Sequence, residues 1–194
     1  MGAHAMKSHT RIGLLVSMAA LPTIACLAAS PATKSQNQVD ARATFRPEAS
    51  FQEIMGSEVV PSSANLWNAV STKSTAQGII ENRPTTDEAW LSLRHQALIL
   101  IEAGNLLLMK DRPIVARGGK VKDAEQPGIL GPEQIRHAMD ADPAKLARLV
   151  HALQGATGKA LEAIEKKDSG ALSDAGGAID EACEACHKTY WYPE

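Results

Sequence analysis

From Phe51 onward, apolar residues recur at intervals of three and four, and turn-rich stretches divide the pattern into four amphipathic segments. The first carries Phe51, Met55, Val59, Ser62 and Leu66 on one face, with Ser50 placed to cap it. Pro61 falls inside this pattern; it lacks an amide donor and crowds the preceding turn, so a kink or a division in two is expected there. The second and most apolar segment opens on a capping-box sequence, Thr85-Thr86-Asp87-Glu88. It continues through Trp90, Leu93, Ala97, Leu100, Ile101, Gly104, Leu107 and Leu108. Asp142-Pro143 starts the third, which repeats Leu146, Leu149, Val150, Leu153, Ala160, Leu161 and Ile164. The fourth runs from about Ala171 to Tyr190, with Leu172, Ala175, Ile179, Ala182, Cys183, Cys186 and Tyr190 on its stripe. Gly131-Pro132-Glu133 begins a shorter helix ending near Asp140. No internal repeat is evident, and the expected class is all-α.

Ahead of this pattern the chain changes character. Lys7 and Arg11 precede an apolar run from Ile12 to Ala29 that ends in small residues, so residues 1–31 read as an export signal and the mature protein as periplasmic. Thr23-Ile24-Ala25-Cys26 loosely resembles a bacterial lipoprotein site, which makes a lipid anchor on Cys26 the lesser reading. Pro22 and the small-residue tail argue against a transmembrane anchor. Residues 32–46 are polar and aperiodic, a flexible leader, and residues 47–194 have a length suited to one domain.

Charge excludes one class of partner. The chain has 20 basic and 22 acidic residues, and loss of Lys7 and Arg11 with the signal makes it more acidic still, so nucleic acid is not expected. The connector from Asp111 to Gly131 is rich in Gly, Pro and basic residues. It is either a solvated crossover or, through Arg112, Arg117, Lys120 and Lys122, a basic patch for an acidic partner.

The chemistry is concentrated at the end of the chain. Cys183-Glu184-Ala185-Cys186-His187 is a C-x-x-C-H box, the attachment signature of c-type haem. Two thiols are needed to form thioethers with two vinyl groups, and an imidazole to reach the iron; on a helix, positions i, i+3 and i+4 share the face this requires. Zinc would need further ligands converging from distant helices, and a thioredoxin-like redox pair would need a βαβ setting. With the signal gone, Cys183 and Cys186 are the only thiols. Two Phe, three Trp and two Tyr are few aromatic residues for a core, and a porphyrin would supply volume they do not. Gly176-Gly177, each glycine costing about 1 kcal/mol inside a helix, marks either a close approach by a neighbouring helix or the haem, or a bent segment.

Four helices, a long connector between the second and third, and Cys183-x-x-Cys186-His187 on the last with Tyr190 three residues on together resemble the cytochrome c′ family. The resemblance spans essentially the whole folded part, but only the terminal box is specific. It implies an antiparallel four-helix bundle with haem bound by the C-terminal helix. It also implies thioethers at Cys183 and Cys186, His187 as the axial iron ligand, and a homodimer through the first two helices. Lys188 matches a common family choice. Many members have arginine after the tyrosine where this chain has Trp191, which leaves any role for that arginine without a counterpart.

The resemblance implies two classes of protein, distinguished by the far side of the iron. Met55, on the first helix's stripe, is the candidate sixth ligand, with Val59 and Tyr190 as candidate haem contacts. A six-coordinate iron suits single-electron transfer to redox partner proteins. An open site behind apolar side chains would instead bind a diatomic gas such as nitric oxide. His95, His137 and His151 are the other axial candidates, His151 first among them. A peroxidase would need a distal acid–base group that cannot be placed, so the expectation is a carrier of electrons rather than an enzyme.

Overall fold

The computed structural model describes residues 45–193. The signal at 1–31, Cys26 and nearly all of the 32–46 leader therefore lie outside the described residues. The chain is mostly helical with one small sheet.

Ser50 caps α1 (Phe51–Ile54) as its sequence predicts: the Glu53 amide donates to Ser50 Oγ at 3.2 Å, and the Ser50 amide donates back to Glu53 Oε2 at 2.8 Å. The helix then widens into a π segment (Met55–Val59) and resumes as α2 (Val60–Ala69), with Pro61 in its first turn. A wide turn directly before a residue that cannot donate a bond lets the helix pass Pro61. It also shifts the register. Ser62 and Leu66 are buried as the stripe predicts, but Ser63 is equally buried and joins a second face with Met55, Gly56, Val59 and Val60.

A hairpin after α2 adds a small sheet, not expected from the sequence, to the otherwise helical chain. Strands β1 (Ser71–Thr75) and β2 (Gly78–Asn82) pair antiparallel, with Ser71 opposite Asn82 and Thr75 opposite Gly78. Gly78 closes the turn at φ +126, a conformation open to glycine, and the Thr75 hydroxyl donates to its carbonyl at 2.8 Å. Nearly every strand residue is exposed, Ile79 and Ile80 included, so no core-facing alternation marks the hairpin in sequence.

Thr86 caps α3 (Asp87–Leu107) with one bond, from the Ala89 amide at 3.2 Å. The reciprocal half of a capping box is missing because alanine stands at the third helical position. Helices α4 (Pro132–Ala141), α5 (Pro143–Glu165) and α6 (Ser169–Tyr190) complete the chain, the last two capped by Asp142 and Asp168. Helix α5 packs most extensively on α6 and then on α3, while α2 touches both α3 and α6. Small side chains, including Ala97, Ala103, Ala160, Ala163 and Ala175, let these helices approach closely around Leu100, Leu172 and Ile179. Gly104 makes room for Gln154: a Cβ there would lie 2.8 Å from this side chain and displace it, and the Gln154 amide donates to the Ile101 carbonyl and to Asn105 Oδ1. No helix among the described residues is long and apolar enough to cross a membrane.

The connector after α3 is pinned down. Its Pro113 and Ile114 carbonyls accept bonds from the Phe51 and Gln52 amides, two of the free donors at the start of α1. Ile114 and Val121 are buried. Arg112, one of the expected patch residues, is buried too, its guanidinium spent on the carbonyls of Leu106 and Ala49. A basic patch that counts on Arg112 is thereby corrected.

Candidate functional site

Where α6 approaches its C-terminus the close packing gives way to a cavity of about 520 Å³. Cys183, Cys186, His187 and Tyr190 form one wall. Helical spacing puts the two thiols and the imidazole on the same face, and all three are half-buried. The facing residues of α1, the π segment and α2 supply Phe51, Met55, Val59, Ser63 and Trp67; α5 adds Leu149, Val150 and Leu153. Gln52, Lys122 and Asp123 bring polar groups to an otherwise apolar lining.

Burial sets the state of the box residues. It pushes both thiols up to about 11, helped at Cys183 by Asp180 and at Cys186 by Cys183, so both are protonated at neutral pH. The same burial lowers the His187 imidazole below its ordinary value, against an opposing pull from Glu184. A neutral imidazole has a lone pair to give a metal. Both cysteines are free thiols. Among the described residues, no three His, Cys, Asp or Glu side chains gather into a metal cage, so the further ligands zinc would need are not brought to the thiols.

The chain beyond α6 buttresses the imidazole. Trp191 and Tyr192 stand with ring centroids 6.4 and 6.1 Å from that of His187, both tilted. Tyr192 donates to Glu184 Oε2 at 2.7 Å, and this bond raises the phenol to about 12 while lowering Glu184. Aromatic packing thus occupies the place after Tyr190 where an arginine is absent.

All six expected site residues, Cys183, Cys186, His187, Tyr190, Met55 and Val59, line this one cavity. The three alternative histidines do not: His95, His137 and His151 are exposed and none borders it. Met139, buried on α4, is a second thioether on the wall that the first-helix pattern gave no reason to consider. Trp67 was also missed. Its indole nitrogen donates to the Gly176 carbonyl at 3.0 Å, and a Cβ on Gly176 would meet the ring at 3.4 Å, an ordinary contact that places Trp67 against the first of the paired glycines without requiring it. Nothing around Gly177 requires its glycine.

Two buried side-chain polar atoms lack a hydrogen-bond partner among the described residues, Ser63 Oγ and Tyr190 Oη, and both belong to residues of this lining. An unsatisfied buried hydroxyl costs about 1–3 kcal/mol, so the wall is left incomplete in two places. A second hollow of about 350 Å³ between α5 and α6, bordered by Lys159, Lys166, Asp168 and Asp174, contains none of the expected site residues. No family model, curated protein or solved structure matches the chain.

Proposed function

We propose that this chain is an exported monohaem c-type cytochrome, an antiparallel four-helix bundle of the cytochrome c′ kind that carries single electrons between redox partner proteins. One observation carries the reading: the thiols and imidazole of the C-x-x-C-H box border an apolar cavity of about 520 Å³ that also has Met55 in its lining. The lining fits a flat, mostly hydrocarbon macrocycle. Cavities of roughly 300–1,000 Å³ hold small cofactors, and the protonated thiols, neutral imidazole and thioethers are the donor set that haem c and its iron require.

In this reading Cys183 and Cys186 would hold the porphyrin through thioether bonds, and His187 would bind the iron. When bound, the haem iron takes up and gives back one electron. The chain's own contribution is attachment, orientation and exclusion of water. Trp191 and Tyr192 fix the plane of the imidazole, with Glu184 holding Tyr192. Phe51, Val59, Val150 and Leu153 keep the interior apolar. Met55 would supply the second protein ligand to the iron; a thioether in that role would favour ferrous iron and raise the potential, which suits a carrier.

A five-coordinate, gas-binding form is the second reading, favoured by the buried Phe51 and Val59 on the wall beside Met55, which could screen an open site. Absorption spectra of the haem-loaded protein decide between the two. A low-spin ferrous spectrum unchanged by carbon monoxide is the expected result, and a high-spin spectrum that shifts on adding the gas supports the second reading. Met55→Ala should convert the first spectrum to the second while Met139→Ala leaves it low-spin; the reverse would transfer the ligand role to Met139.

A further inference from the structure

Haem is not uniformly apolar: its rim bears two carboxylates, which must meet water or a compensating charge when the ring is buried. The lining of the cavity contains one lysine, Lys122, and no arginine. We propose that Lys122 is the haem-anchoring residue of the connector and pairs with a rim carboxylate at the cavity mouth, an inference that rests on the haem reading above.

The connector holds this lysine in place. The Gln52 side chain clamps the main chain on both sides of Val121: its amide nitrogen donates to the Lys120 carbonyl at 3.1 Å, and its oxygen accepts from the Lys122 amide at 2.6 Å. Between the two bonds Val121 is buried, 3 % exposed, and plugs the segment into the core. Tight turns come next, with the Ala124 amide donating to the Val121 carbonyl and the Gln126 amide to that of Asp123. Lys120, Lys167 and Lys188 each pair with a carboxylate, whereas Lys122 has no ion pair among the described residues. Asp123 faces the same cavity with the opposite charge. Lys122 therefore attracts a rim carboxylate and Asp123 repels one, which gives the mouth a polarity that can be tested in both senses.

The test is haem binding by the full chain carrying Cys183→Ala and Cys186→Ala, so that affinity rather than covalent attachment is read. On this background Lys122→Gln should weaken binding of free-acid haem by roughly two- to fivefold, the range for an exposed charged pair. Lys122→Arg should restore it, and Asp123→Asn should tighten binding instead. Haem dimethyl ester, which has no ionised carboxylates, should bind all four chains alike. Equal affinities for free-acid haem with lysine or glutamine at 122, or a Lys122→Gln effect that persists with the ester, would overturn the proposal and leave the haem reading intact. Failure of the unsubstituted chain to acquire covalent haem, and of the double-alanine background to bind it, would overturn both.

Discussion

Helices α5 and α6 lie against each other differently at their two ends. Around the turn that joins them they are pressed together at Ala160, Ala163, Ala175 and Ile179, none more than 4 % exposed. Toward Leu149 and His187 the same two helices border a cavity of about 520 Å³ and leave two thiols half-buried. At the first end the buried side chains meet and leave only the shallower hollow of about 350 Å³ beside the turn, whereas the second borders the larger, mostly apolar space. Interiors are ordinarily packed to crystal-like density, and space on this scale, bordered by apolar groups and by two hydroxyls without a partner among the described residues, is the feature on which the proposed haem site rests.

Substitutions at the two ends should behave in opposite ways. The largest effect belongs to the open end: Cys183→Ala with Cys186→Ala should abolish covalent haem entirely, read as loss of haem staining on a denaturing gel. At the closed end, Ile179→Ala should cost about 2–5 kcal/mol in chemical denaturation, equally with and without haem. Leu153→Ala, on the open wall, should cost clearly more in the loaded protein than in the haem-free one; equal costs would mean that haem does not rest on that wall. Next in size is Trp67→Phe, which loses the indole bond to Gly176 at 3.0 Å and should cost about 1 kcal/mol of thermal stability. The smallest effect compares two buried hydroxyls. Thr157 at the closed end donates to the Leu153 carbonyl at 2.8 Å, so Thr157→Val should cost about 1 kcal/mol. Ser63→Ala in the haem-free chain should cost nothing or stabilise, because it removes an unsatisfied group; a loss as large as that for Thr157→Val would show that Ser63 has a partner in the folded chain.

The contrast between the ends also explains which features are legible in the sequence. Helices α3, α5 and α6 announce themselves because each buries a continuous stripe, and the box residues because C-x-x-C-H is a recognisable fixed spacing. The facing wall is only half legible. Met55 and Val59 follow the stripe, but Ser63 and Trp67, which continue it at intervals of four past the π turn and also border the cavity, are a polar residue and a half-exposed indole that the apolar pattern does not single out. Gln52, Lys122 and the Tyr192–Glu184 pair depend on contacts between distant or non-helical segments that carry no periodic signal. The hairpin at Ser71–Asn82 escapes sequence reading because it has no buried face to impose alternation.

The central claim, that the open end of α5 and α6 is a covalent haem site, is tested most directly by the intact mass of the denatured chain. The protein should be purified from cells able to attach haem c. The account predicts a chain heavier by one haem, unchanged by acid extraction and reverting to the bare polypeptide mass when Cys183 and Cys186 are both replaced by alanine. A bare polypeptide mass in the parent protein, with both thiols still open to alkylation, would contradict it.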